Sequence, residues 1–156
     1  MEYLAPRVAT VADVETLMRH RAEMFAEMGT PRDGPFEAMV AHSERWFREH
    51  VAAGTYLGFL IEPAGSHTVP VAGGGVLLLD WPPTHRDPQP ERGYILNVYV
   101  EPLHRRRGLA RAITEVCLEV CRARSIRIVS LHAADAARPL YEKLGFAPTN
   151  EMRLEL

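Results

Sequence analysis

The stretch Y-I-L-N-V-Y-V-E-P-L-H-R-R-R-G-L-A-R, residues 94–111, decides the fold that we predict for this chain. Most of its first seven residues are aromatic or β-branched, which predicts a strand over 94–100. Pro102 ends that strand, because proline cannot donate to a sheet ladder. From Leu109 onward the apolar residues follow helical spacing. Strand, basic turn and helix in this order direct unpaired backbone N–H groups and three arginines to the positive end of a helix.

A helix start of this kind is a common binding site for phosphate. Gly108 has no β-carbon, so an anion can approach the backbone closely there. Neither the G-x-x-x-x-G-K-[ST] loop nor the G-x-G-x-x-G fingerprint of nucleotide-binding proteins is present. Local physics therefore leaves two alternatives open: a phosphate site, or an ordinary strand–turn–helix corner that carries arginines.

Composition limits the classes of function. A chain of 156 residues predicts one domain, residues 1–156. The net charge of −2 argues against a nucleic-acid or membrane-surface binder, although the arginine triplet keeps a salt-dependent nucleic-acid binder as a rival. No apolar run has membrane-spanning length and no signal peptide is visible, so we expect a cytoplasmic protein. No metal site is expected. Cys117 and Cys121 are expected in the core, and four histidines at the surface: His42, His50, His67 and His104.

Two segments resemble the signatures of the GNAT superfamily of acyl-CoA-dependent N-acyltransferases. The first, Arg105-x-x-Gly108-x-Ala110, is similar to [RQ]-x-x-G-x-[GA]. The second, residues 137–146, is similar to A-x-x-L-Y-x-x-x-G-F. Both occur in the family's order near the end of the chain, so the match is specific for the last sixty residues or so, whereas the first ninety match only in their pattern of elements.

The pattern of elements predicts an α/β fold. It is a mixed, mostly antiparallel central sheet with a parallel pair at its centre and helices on both faces, which is also the GNAT arrangement. Gly73-Gly74-Gly75 predicts a bulge or a close backbone approach inside a strand. Trp81 and His85, in the proline-rich loop 81–93, are candidates to face a substrate. Strands are predicted at 3–8, 55–61, 69–80, 94–100, 126–131 and 151–156, and helices from Thr10 to Gly29, from Phe36 to near Gly54, from the arginine triplet onward and at 135–144.

The resemblance implies acetyl-CoA as co-substrate and assigns its site. Backbone groups of Val98 and Val100 are expected to bind the pantetheine arm as an added strand. Tyr141 stands at the family's tyrosine position and is expected to give a proton to the departing thiolate. The diphosphate is expected on the N–H groups of Arg105, Arg106, Arg107, Gly108, Leu109 and Ala110.

The acceptor side of the site is less defined. Substrate contacts are expected from Phe25, Met28, Tyr94 and Asn97. Tyr94 stands where some family members carry a glutamate that acts as the base. Ala134 stands where an asparagine is frequent in the family, and Asp135 is the residue that could replace the cofactor contact of that asparagine. The substitutes considered for the base are Glu91, His132, and a water chain through Asn97 and Tyr99.

We therefore expect an N-acetyltransferase that acts by direct attack of a primary amine, either a small molecule or a peptide N-terminus or lysine. The alternative is a catalytically silent GNAT-fold module that senses acyl-CoA. The sequence does not decide the oligomeric state, and a homodimer is kept open.

Overall fold

The computed structural model describes residues 2–65 and 68–156, so His67 lies outside the described residues. Its strands form one sheet in the order in which they occur along the chain. The first four run antiparallel, and the last two are parallel. The elements are β1 (Arg7–Val8), α1 (Val14–Glu27), α2 (Gly34–Ala53), β2 (Tyr56–Ile61), β3 (Ala72–Asp80), β4 (Glu91–Val100), α3 (Leu109–Ala123), β5 (Val129–Leu131) and α4 (Arg138–Lys143), with single 3-10 turns at Val11–Asp13 and Pro102–His104.

The predicted mixed sheet is confirmed, but its parallel pair lies at one edge of the described sheet and not at the centre. The predicted last strand, 151–156, is wrong: these residues are exposed and form no strand. Pro148 cannot donate to a ladder, and the neighbouring β5 is only three residues long. Residues 151–156 would therefore gain few backbone hydrogen bonds by pairing with β5.

β5 is shorter than the predicted strand 126–131, because Asp87 binds N–H groups at the start of the predicted strand. The buried carboxylate of Asp87 accepts from the N–H groups of Arg127 and Ile128, each at 3.1 Å. Burial by itself would raise the pKa of Asp87, but these donors and the N–H of Gln89 outweigh it and lower the pKa. Asp87 thereby fastens the loop 81–90 to the start of β5.

Helices cover both faces of the sheet, as predicted. On one face α3 buries a stripe of four side chains against the sheet: Leu109, Ile113, Cys117 and Cys121. On the other face α1 and α2 enclose a second cluster around Phe47, Tyr56 and Leu60. Both cysteines are free and buried, and burial raises the pKa of each thiol.

A β-bulge in β4 is the feature that positions the site. Gly73 pairs with Tyr99 and Gly75 with Leu96, so Gly74 faces two residues, Asn97 and Val98. Asn97 adopts a positive φ of 60°. The extra residue interrupts the alternation of side chains along β4. Leu96 and Asn97 both lie on the sheet face that α1 and α2 cover, whereas Val98 packs on the α3 side.

Candidate active site

The end of β4 is open on the side away from β3. Pairing with β5 stops at Ile95, opposite Leu131. The N–H of Glu101 donates to the Val71 carbonyl, 2.9 Å away, on the β3 side. Since backbone groups alternate along a strand, those of Val98 and Val100 point to the open side. Val98 thus offers main-chain groups to an added strand, whereas the Val100 carbonyl already accepts from Arg105 Nε at 2.9 Å, which leaves its N–H for that role.

The turn between β4 and α3 presents a run of free N–H groups, which we call the amide cradle: the backbone N–H groups of residues 106–111. Among the described residues none of them has an acceptor, and the first helical bond joins Ala112 N–H to Gly108 O at 3.0 Å. Arg106 and Gly108 both adopt positive φ, 62° and 81°. A β-carbon on Gly108 would meet none of the described residues within 4 Å, so space is open at that position. Such a cradle fits a diphosphate.

The side chain of Arg105 is directed elsewhere. Its Nε donates to the Val100 carbonyl at 2.9 Å, and its Nη2 pairs with the carboxylate of Glu27, at the end of α1. Its own N–H donates to Pro102 O at 3.4 Å. Arg105 therefore holds the turn against β4 and α1, whereas the side chains of Arg106 and Arg107 are exposed and pair with none of the described residues.

Tyr141 lies on α4 and is 8% exposed. Its ring packs edge-on against Phe146, with centroids 5.9 Å apart. Burial raises the pKa of its hydroxyl, so the phenol stays protonated at neutral pH. It lines a cleft of about 370 Å³, which we call the Tyr141 cleft, together with Tyr94, Ser130 and His132 among others.

A second cavity, which we call the bulge pocket, lies between α1, α2 and the β4 bulge. Its volume is about 280 Å³, and it is lined by Arg21, Met39, His42, Ser43, Trp46, Phe47, Leu96 and Asn97. Of the predicted substrate contacts, Asn97 lies here. The Arg21 Cζ lies 4.8 Å from the centroid of the Phe25 ring. Met28 is 56% exposed at the end of α1 and lines neither cavity.

The substitutes considered for the general base are dispersed. Glu91 pairs with Arg124 at 3.5 Å, at the start of β4, about 20 Å of strand from Asn97. His132 is exposed at the end of β5. Tyr99 donates to Glu27 at 3.3 Å, and burial together with that carboxylate raises the pKa of Tyr99.

The other candidates lie away from the two cavities. Arg92 stacks over the Trp81 ring at 4.3 Å, and His85 is exposed in the same loop, at the start of β4 and not at its bulge. Asp135 is exposed and lies 3.9 Å from Arg138.

Of the predicted surface histidines, His42 is exposed, as expected. His50 and His104 are half-buried, because His50 stacks on Trp46 and His104 bonds Tyr3 at 3.0 Å.

Sequence reasoning missed Arg21, Ser43 and Trp46 as site residues. The available signal was Arg21 itself, a cation at a position of α1 that helical spacing otherwise fills with apolar residues. It also missed His20, which is 1% exposed beneath β3. Within residues 2–65 and 68–156 no helix is long and apolar enough to cross a membrane, and no cluster of metal-ligating side chains is found.

Solved structures match this fold over nearly its whole length. A GCN5-related N-acetyltransferase from Ralstonia eutropha JMP134 is 36% identical, with a TM-score of 0.89 over 99% of this chain and 98% of that one. A predicted acetyltransferase from Clostridium acetobutylicum, solved with acetyl-CoA, is 26% identical, with a TM-score of 0.86 over 99% of this chain and 95% of that one.

Two curated relatives match parts of the sequence. Glucosamine 6-phosphate N-acetyltransferase of Trypanosoma brucei brucei is 38% identical over 65 residues, 41% of this chain. Mycothiol acetyltransferase of Nocardia farcinica (strain IFM 10152) is 35% identical over 114 residues, 71% of this chain. The chain spans only 44% and 34% of the length of these two relatives. The model of the acetyltransferase (GNAT) family matches residues 16–146, well over half of the sequence, and the chain therefore belongs to that family.

Proposed function

We propose that this chain is an N-acetyltransferase that moves the acetyl group of acetyl-CoA to a primary amine by direct attack on the thioester. The observation that carries the proposal is the open end of β4 followed, after the turn at 101–105, by the amide cradle. The first suits a pantetheine arm and the second a diphosphate. The family, and a similar protein solved with acetyl-CoA, support the choice of ligand.

The surface has enough donors for useful affinity. Micromolar binding needs about 8 kcal/mol. A helix terminus contributes roughly 0.3–1 kcal/mol for each charge at an exposed site. Several convergent amides, the exposed cations of Arg106 and Arg107, and the backbone of Val98 and Val100 are therefore needed together. Arg105 contributes by holding the turn in place through Glu27 and Val100.

The amine must lose a proton before it attacks. For an amine with a pKa near 10.4, this costs roughly 4–5 kcal/mol at pH 7. None of the residues that line the bulge pocket is acidic, so no carboxylate there favours the ammonium form of the acceptor or serves as its base. The ammonium proton is therefore assigned to solvent water.

Tyr141 is assigned to the departing sulfur. As the amine nitrogen bonds to the carbonyl carbon, the carbon–sulfur bond breaks and negative charge develops on the thiolate. A thiol has a pKa near 8.5 and a phenol near 10, so complete proton transfer costs at least about 2 kcal/mol. We expect Tyr141 to stabilise the thiolate chiefly by hydrogen bonding. The ammonium proton has left before attack, and the second proton, which the nitrogen loses as the amide forms, completes the thiol.

One experiment separates this function from the sensor alternative. Calorimetry measures acetyl-CoA binding, and release of free thiol is then followed with polyamines, aminoglycosides, amino acids, amino sugar phosphates and peptides. The proposal predicts binding and thiol release with at least one class. Binding without release would favour the silent acyl-CoA module, while the absence of binding would overturn both. Salt-dependent affinity for DNA in its place would favour the nucleic-acid rival. The proposal includes a cytoplasmic location, in which the two free cysteines stay reduced.

A further inference from the structure

We propose that the bulge pocket binds an anionic group, carboxylate or phosphate, of the acceptor amine, and that Arg21 is the residue that holds it. This inference rests on the proposed function and names the class of acceptor.

Arg21 is a half-buried cation whose contacts in the described residues are all neutral. Its guanidinium donates to Asn97 Oδ1 and lies 4.8 Å over the Phe25 ring, and no carboxylate pairs with it. In contrast, Arg7, Arg19 and Arg105 each have a carboxylate partner. Partial burial of a charge without a counter-ion is unfavourable, and here it lowers the pKa of Arg21. An incoming anion would supply the missing partner.

Asn97 provides an independent observation in the same pocket. It is 6% exposed, its Oδ1 accepts from Arg21, and its Nδ2 makes no hydrogen bond of good geometry among the described residues. The Asn97 side chain also lies near the buried Tyr56 hydroxyl, whose pKa burial raises and Asn97 partly lowers, so this donor is incompletely satisfied by the protein. The bulge that gives Asn97 its positive φ of 60° is what turns the side chain toward α1.

The remaining lining fits a small anion-bearing molecule. His42 and Ser43 are further polar residues, and Met39 and Trp46 supply apolar walls. No aspartate or glutamate lines the pocket, so nothing there repels an anion. Its volume of about 280 Å³ lies just below the ~300–1,000 Å³ of typical ligand sites, which suits a small group.

The position of the pocket sets the shape of the acceptor. Asn97 immediately precedes Val98, whose backbone lies on the open side of β4 where the pantetheine arm is proposed. An anion held by Arg21 and Asn97 therefore places an amine only a few bonds away next to the thioester. Amino acids and amino sugar phosphates have this arrangement, whereas long polyamines have no anion to bind.

The test compares acceptors in matched pairs: β-alanine with propylamine for the carboxylate, and phosphoethanolamine with ethanolamine and glucosamine 6-phosphate with glucosamine for the phosphate. Wild-type protein should prefer the anionic member of at least one pair by tenfold or more in kcat/KM. The pair that shows the preference identifies carboxylate or phosphate. Equal use of both members, or preference for the neutral one, would overturn the inference and leave the proposed function intact.

Variants separate binding from a structural role of Arg21. Arg21→Met should raise KM for the anionic acceptor at least tenfold, change kcat/KM for its neutral partner less than twofold, and leave acetyl-CoA affinity unchanged. Arg21→Lys should recover part of the loss. The matched control is Arg45→Gln, an exposed arginine of α2 paired with Glu49. An equal loss for both members of a pair would mean that Arg21 only supports the bulge.

Anion binding can also be measured by fluorescence without any acetyl transfer, so the inference can be tested even if no acceptor reacts. The chain has two tryptophans, so Trp81→Phe leaves Trp46 of the bulge pocket as the only tryptophan. Inorganic phosphate or acetate should change Trp46 fluorescence saturably, and Arg21→Met should abolish the change. No saturable change with either anion, together with no anionic preference, would reject the site.

Discussion

Gly74 of β3 lies so close to Val98 of β4 that a β-carbon on Gly74 would stand 3.0 Å from the Val98 Cα. The same atom would stand 2.8 Å from Ile113 Cγ2 on α3. The β4 bulge, β3 and α3 therefore meet at Gly74, where there is no room for a side chain. The glycine sets how closely the bulge approaches the core, and the open end of β4 begins at this bulge.

Gly74→Ala should destabilise the protein by about 1–3 kcal/mol, because neither the strand backbone nor Ile113 can move far. Displacement of Val98 should also weaken acetyl-CoA binding severalfold. Urea unfolding and calorimetry measure the two effects. Gly34→Ala is the control: a β-carbon there meets nothing within 4 Å, so no loss is expected. Equal stability of the two variants would contradict the packing argument.

Gly108→Ala should weaken acetyl-CoA binding by distorting the amide cradle. The residue has a φ of 81°, which an alanine adopts only at a cost of about 1–2 kcal/mol. Gly145→Ala imposes similar strain at a φ of 93°, and it also has open space around it. Both variants should lose comparable stability, but only Gly108→Ala should raise the dissociation constant for acetyl-CoA. If the two changed it equally, the cradle would not be the diphosphate site.

Tyr141→Phe should lower kcat by roughly 10- to 100-fold. This loss lies at or below the lower end of what a general acid usually contributes. Acetyl-CoA affinity should change less than twofold, since the ring and its contact with Phe146 remain. Steady-state thiol release and calorimetry check the two expectations. Tyr3→Phe removes a hydroxyl bonded to His104 instead and should leave kcat unchanged. Unchanged turnover in Tyr141→Phe would remove this residue from the mechanism.

His20 should make stability depend on pH in the mildly acidic range. Burial lowers its pKa from 6.5 to about 4, so the unfolded chain binds more protons between these values. Stability is therefore complete above about pH 6.5 and is lost as the pH falls toward 4. The loss is at most about 3 kcal/mol, from 1.36 kcal/mol per pKa unit.

His20→Gln keeps a donor for the Pro70 carbonyl, which lies 3.2 Å from Nε2 in the native protein, and should flatten this part of the stability profile. His85→Gln, at an exposed position, should leave the profile as in the wild type. Denaturant unfolding at pH 4, 5, 6 and 7 measures both. A profile for His20→Gln that is as steep as the native one would assign the pH dependence to other groups.

The parts of the fold that local chemistry determines could be predicted from the sequence. Gly29 and Gly54 adopt positive φ just beyond α1 and α2, as their places after apolar helical patterns indicated. The strand, turn and helix around Gly108 likewise follow from spacing and from the lack of a donor in Pro102. The glycine run of β3 indicated a close approach, which the structure locates at Gly74 and Gly75.

Features that depend on distant segments could not be predicted in this way. The length of β5 is set by Asp87, forty residues away, which takes the N–H groups that a longer strand would need. The partner of Arg21 is Asn97, 76 residues away, and only the bulge brings them together. The direction of the Arg105 side chain depends on Glu27 at the end of another helix. None of these pairings leaves a periodic signal in the sequence.

The burial of Cys117 and Cys121 has a practical consequence for studying the reaction. A disulfide reagent reacts with thiolate, and both side chains are shielded and kept in the protonated form. A native sample should therefore give little background colour when such a reagent titrates the coenzyme product. The same reagent should count two groups per chain once the fold is lost, so the intercept of each progress curve reports how much of the preparation is folded.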